Sequence, residues 1–205
     1  MPAQQNDPAP DAAPGPPRPR LPKLAVAGLT PGQRVVYDAI TGGRRGAGPQ
    51  LFQLRDEQGA LEGPFNAMLY DPATGAALQA LGSAIRYDSP LPGRLREIAI
   101  LVVAAHWGSA FERYAHEAVA RAAGIGDGDL ASLRELAVGR LADPRERLVA
   151  ATTLALARDG DLDDAGYAAA VAGLGVAQVV ALTTLVGYYA TLALQLRVFR
   201  VPAPG

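Results

Sequence analysis

The 205-residue chain has no cysteine, two histidines and one tryptophan, and aromatic residues make up only 6% of it. Without a thiol there is no disulfide, no thiolate metal site and no thiolate nucleophile. Two histidines, His106 and His116, are too few for an ordinary histidine-built metal centre, and no acidic spacing suggests another kind. An excess of one charge is missing as well. The 19 basic and 20 acidic residues leave a formal net charge of −1, so nothing marks a nucleic-acid footprint. Also absent is any convincing strand-length alternation of apolar and polar residues, which makes the expected fold all-α.

Hydrophobic residues amount to 49% of the sequence, enough for one substantial core. That core is expected in a single domain over 21–205. The stretch before it, 1–20, is rich in proline and alanine, carries no large apolar residue after Met1 and reads as a disordered or polyproline-like tail. It lacks the apolar segment of a secretory signal. Pro16 and Pro19 have PxxP spacing, but a solvated tail, partly ordered against a neighbouring subunit, is the plainer reading. The cysteine-free composition fits a cytoplasmic location.

About seven helices are expected from caps and periodicity. Thr30-Pro-Gly-Gln33 carries a cap, a first-turn proline and a capping-box partner, and Val36, Tyr37 and Ile40 follow on one face. Gly42–Gly48 reads as a mobile loop, and a small hairpin is expected around Gln58-Gly59. Asp71-Pro72 opens a helix to Tyr87 with Leu78, Leu81 and Ile85 toward the core. Further helices are expected over 129–140, from Asp143 to Arg158, and from about 163, with Asp161 as the cap. The last, from Val176 to about Phe199, approaches membrane-spanning length, yet its scattered Gln, Thr, Gly and Tyr favour burial in a bundle and against a partner subunit, with no membrane.

The stretch from Leu91 to Gly124 organises the rest. It reads as an antiparallel helix pair over about 93–123, broken at Trp107-Gly108-Ser109, with Gly124 placed as a left-handed stop. Ser109, Glu112 and His116 lie three and four residues apart and share one face. Glu97, on the first helix, is placed to reach His116 across the hairpin. A histidine between two acids in an apolar wall is a tunable proton carrier. Other readings of the same residues stay open. Ser109-x-x-Glu112 is also a capping box, His116 also a core histidine bonded to an acid, and Glu97 also a first-turn solvated acid.

The combination Leu95-Arg-Glu97-Ile-Ala-Ile-Leu101, Ala105-His-Trp-Gly108, Phe111-Glu-Arg-Tyr-Ala-His116-Glu117 and Ala120-Arg-Ala-Ala-Gly124 resembles the carboxymuconolactone decarboxylase family, whose fold is shared with the alkylhydroperoxidase AhpD. Gly63-Pro-Phe-Asn-Ala-Met-Leu69 and Leu91-Pro-Gly-Arg94 look like its decarboxylase branch, and the similarity spans about 61–202. In the peroxidase branch a Cys-x-x-Cys pair occupies the positions of Ser109 and Glu112, so the resemblance implies the cysteine-less chemistry here.

The resemblance implies an AhpD-like bundle that forms homo-oligomers, from dimer to hexamer. It also implies a cofactor-independent lyase or isomerase acting on a small lactone or unsaturated acid. Glu97, Glu112 and His116 would be catalytic. His106, Trp107, Ser109, Asn66, Phe65, Arg86 and Arg94 would bind the small-molecule substrate. Asn66 is also an ordinary turn residue, and the arginines are also ordinary surface residues. The alternative from another class is a non-catalytic oligomeric binding protein on the same fold.

Overall fold

A computed structural model describes residues 18–204. Most of the proline-rich stretch expected to be a solvated tail, including Pro16, lies outside the described residues. Ten α-helices follow in order among them: α1 (Pro31–Thr41), α2 (Arg44–Ala47), α3 (Pro64–Met68), α4 (Pro72–Tyr87), α5 (Gly93–Trp107), α6 (Ala110–Ala122), α7 (Asp127–Arg134), α8 (Pro144–Asp159), α9 (Asp164–Leu174) and α10 (Val176–Val198). The all-α expectation holds. The count exceeds seven partly because α2 and α3 are single turns in stretches read as loop or lead-in. The hairpin around Gln58-Gly59 is present: Arg55 bridges Leu61, and the Asp56 and Glu62 N–H groups donate to Ala60 and Leu54.

The axis of the fold is α5. From Glu97 to Ala104 every residue is buried, and helices apolar on all sides end up inside. It is surrounded by α6, α7, α8 and α10. Along α10, Val179, Leu182, Leu185, Tyr188, Tyr189 and Leu192 face the core, while Val176, Val180, Leu194 and Val198 remain exposed. This helix is long and apolar enough to cross a membrane by length and composition, but half of its apolar window is buried within the fold. The Arg20 N–H donates to Phe199 O at 2.9 Å, so the chain beyond α10 is tied back to residues ahead of α1.

The hairpin turn is built by Gly108, whose left-handed φ of 64° suits a residue without Cβ. The Ser109 N–H then donates back to Ala104 O at 2.8 Å, closing α5. That bond has a consequence for α6. Ser109 occupies the N-cap position, but its hydroxyl caps nothing and Glu112 does not reach back. The capping box read from the sequence therefore does not form, because the backbone donor that Glu112 would need is already spent on Ala104. Thr30 and Gln33, with no such competitor, form both halves of theirs.

Three further readings are corrected. The helix expected over 129–140 is α7, which stops at Arg134; Leu136 adopts a φ of 55° and the chain tightens into a 3-10 turn at Val138–Arg140. The closure uses a leucine where glycine is usual, so no residue signal marks it. The cap of α9 is Asp163, accepting from the Gly166 N–H at 2.7 Å, and not Asp161. On α4, Ile85 is buried but Leu81 is exposed; the inward stripe is Gly75, Gln79, Gly82 and Ile85. The glycines leave room for what lies opposite: a Cβ on Gly82 would come within 2.2 Å of the Tyr188 hydroxyl.

Candidate active site

The α5–α6 hairpin brings Glu97 and His116 together. His116 Nδ1 lies 2.7 Å from Glu97 Oε2, with Glu97 only 1% exposed. Burial pushes the Glu97 carboxyl up. The charge and hydrogen bond of His116, followed by the guanidiniums of Arg86 and Arg96, outweigh that and hold it below its ordinary value. An ionised carboxylate can only accept. Glu97 therefore fixes the Nδ1–H form of His116, leaving Nε2 as the basic nitrogen. The Tyr189 ring stands edge-on to the imidazole, with centroids 5.2 Å apart, and locks its plane.

Glu112 is the opposite case. It is 2% exposed, and neither carboxyl oxygen has a hydrogen-bond partner. Burial pushes it up to about 8, with the Ser109 hydroxyl a weaker opposing influence. At neutral pH it is a neutral acid with an O–H to give. The two acids are thus driven in opposite directions by their surroundings.

His116 and Glu112 share a cavity with Arg45 and Arg86, between α6, α10, α4 and the α2–α3 region. Phe52 and Phe65 stack at 6.5 Å on one side, and Phe111, Tyr188 and Tyr189 complete an aromatic lining. The space is about 30 Å³, the share of a single water in the liquid. Gly63, at φ 57°, sets one wall: a Cβ there would fall 2.2 Å from the Phe111 ring. Among the described residues, no group of three or more His, Asp or Glu side chains is gathered to hold a metal ion.

Of the expected site residues, the structure brings Glu97, His116, Glu112, Phe65 and Arg86 to this cavity or its wall. The others lie elsewhere. Asn66 spends its amide on the strap ahead of α1, accepting from Leu24 N–H and donating to Pro22 O, both at 3.0 Å. Arg94 forms a fork on Glu146 and lies 3.6 Å from Asp129. His106 is exposed at the end of α5, while Trp107 and Ser109 border a separate groove where Arg197 covers the indole and donates to the Trp107 carbonyl. Exposure and existing partners take Asn66, Arg94, His106 and Trp107 out of reach, whereas the Ser109 hydroxyl is buried and unpartnered beside Glu112. Arg45, Tyr188 and Tyr189 were not singled out as site residues by sequence reasoning. The tyrosines sit in an apolar helix, and Arg45 in a Gly-rich segment where nothing fixes its direction.

A larger groove of about 630 Å³ lies between the strap and the chain beyond α10. Three of its charged groups satisfy one another: Lys23 bonds both Asp56, at 3.1 Å, and Glu62, at 2.5 Å. The unsatisfied buried acid is in the small cavity.

Three comparisons bear on this arrangement. None of the curated proteins matches the chain. Among solved structures, the debrominase Bmp8, determined as a cysteine-to-alanine variant in complex with 2,3,4-tribromopyrrole, superposes with a TM-score of 0.68. The match covers 89% of this chain and 90% of that one at 12% identity, a likeness of fold alone. Residues 72–157 match the profile of the carboxymuconolactone decarboxylase family. That match runs from α4 into α8, and so through the hairpin that carries Glu97, Glu112 and His116.

Proposed function

We propose that the chain is a cofactor-independent lyase or isomerase of small lactones or unsaturated carboxylic acids, working by proton transfer at His116. The observation that carries this reading is the pairing of a buried Glu97–His116 dyad at 2.7 Å with an unpartnered Glu112 on the same cavity. In a decarboxylation, the carbon–carbon bond to the leaving carboxylate breaks and its electron pair moves into the conjugated carbonyl. The neutral Glu112 donates a hydrogen bond to the oxygen that gains charge. His116, having taken a proton from water at Nε2, delivers it to carbon and returns to the neutral Nδ1–H form, and Glu97 steadies the imidazolium while that proton is held. Isomerisation uses the same groups, with His116 first removing the proton. The debrominase on this fold was solved as a cysteine variant; a route through a thiolate is closed here because the sequence has no cysteine.

A second reading, a non-catalytic oligomeric binding protein, is favoured by the cavity's size, since about 30 Å³ admits no lactone without movement. Under either reading the exposed valines and leucine of α10 suit a homo-oligomer. The deciding experiment screens lactones and unsaturated acids in D₂O by NMR, with His116→Asn beside the wild type. Carbon-bound deuterium or carbon dioxide formed by the wild type and lost in the variant supports the lyase. Turnover that survives H116N removes it.

A further inference from the structure

The cavity's charges do not balance. Arg45 and Arg86 both line it, and among the described residues neither has a carboxylate within salt-bridge distance. Every acid near them is committed or uncharged. Glu97 is held by His116 with Arg96 3.5 Å from its other oxygen, and Glu112 is neutral at pH 7. Burial lowers the Arg45 pKa, and the positive charge of Arg86 is among the lesser influences in that direction. Two guanidiniums thus line one cavity, and the ionised carboxylate nearest them, Glu97, is already bonded to His116. Burying charge without a partner is costly, so an arrangement of this kind awaits one.

The partners Arg45 does have are weak holders. Its Nη1 donates to the neutral Gln79 Oε1 at 2.5 Å, and its guanidinium lies over the Phe65 ring, 4.7 Å from the centroid. The helix that bears it, α2, is one turn bounded by Gly43 and Gly48. A carboxylate arriving in the cavity would offer Arg45 a better acceptor than an amide: two oxygens for the guanidinium fork and an opposite charge, where Gln79 offers one neutral oxygen. At about 30 Å³ the cavity must widen before it takes a ligand, and Arg45 is one of the side chains that line it.

We propose that Arg45 and Arg86 together form the receptor for a carboxylate on a flat, unsaturated substrate, and that Arg45 leaves Gln79 to admit it. The proposal rests on reading this cavity as the reaction site, and it names the substrate class: planar monocarboxylates, carboxylate toward the arginines and ring or chain between Phe65 and the tyrosines, facing His116. A guanidinium fork matches a carboxylate through two parallel bonds, and the aromatic walls supply flat apolar surface for the remainder.

The test is calorimetric titration of the full chain with benzoate, sorbate and 2-furoate, each beside its neutral amide, and with inorganic phosphate as a separate anion. At least one acid is expected to bind while its amide does not. Arg45→Gln and Arg86→Gln are each expected to weaken that binding about tenfold to a hundredfold. Arg45→Lys, which keeps the charge but loses the fork, should fall between, and Arg113→Gln on the exposed side of α6 should leave it unchanged. Amide binding equal to acid binding overturns the proposal without any variant. So does failure of all three acids to bind, acid affinity indifferent to both glutamine substitutions, or phosphate binding in place of carboxylate. His116→Asn separates this from the proton chemistry: it should bind the acid normally while losing turnover.

Discussion

Two buried carboxylates reached from α5 stand in opposite conditions. Near its start, Glu146 of α8 accepts from Arg94 Nε at 2.5 Å and from Nη2 at 3.2 Å, with its backbone N–H also taken by the Asp143 cap. Further along, Glu112 is as deeply buried and has no donor on either oxygen. The first arrangement is what a fold does with charge when only stability matters: each carboxylate oxygen has a donor. The second holds an acid at a cost, and the fold tolerates such costs chiefly where something else is gained. The contrast teaches that burial of an acid says little by itself; what separates the two is whether their hydrogen bonds are met.

Breaking the site at its proton carrier should have the largest effect. His116→Asn is expected to lower turnover of a substrate found in the lactone and acid screen by about a hundredfold to ten-thousandfold, measured as initial rate. Next comes the stability difference between the two acids of the site, read by thermal or urea unfolding across pH. The Glu112 pKa is raised on folding, so the native state binds the extra proton, and stability is full below the unfolded value near 4.5 and falls as pH rises toward about 8. Glu112→Gln should therefore be more stable than the wild type at pH 8 by roughly a few kcal/mol, with the gap closing near pH 4. Glu97 runs the other way. Its pKa is lowered on folding, so its contribution is present above the unfolded value and is lost as pH falls toward the depressed one; Glu97→Gln should flatten the acid limb.

A smaller effect should come from the satisfied pair. Glu146→Ala should cost about 1–3 kcal/mol by unfolding, because Arg94 is partly exposed and screened, while turnover per folded molecule stays unchanged. The smallest is at the caps. Thr30→Ala should cost about 1 kcal/mol, whereas Ser109→Ala should change unfolding free energy by less than about 0.5 kcal/mol, since its hydroxyl caps nothing.

Much of this was legible in the residues. The hairpin bounds, the Thr30, Asp71 and Asp143 caps and the meeting of Glu97 with His116 all rest on local signals: helical period, a glycine stop, a short turn that forces antiparallel packing. What was not legible depends on competition between partners. Ser109-x-x-Glu112 has the letters of a capping box, but the turn at Gly108 takes the donor first. Asn66 and Arg94 carry suitable chemistry, but segments distant in sequence, at Pro22–Leu24 and Glu146, claim them. Arg45 is held at the cavity by Gln79, on a face of α4 where a leucine stripe was expected.

The most direct test of the central claim, that one cavity wall holds two acids in opposite protonation states, is a pH titration followed by ¹³C NMR of the glutamate side-chain carboxyl carbons. The expected result is one resonance that titrates near 8 and vanishes in Glu112→Gln, while the resonance assigned through Glu97→Gln stays ionised across the neutral range. A Glu112 resonance titrating with the ordinary surface glutamates would contradict it.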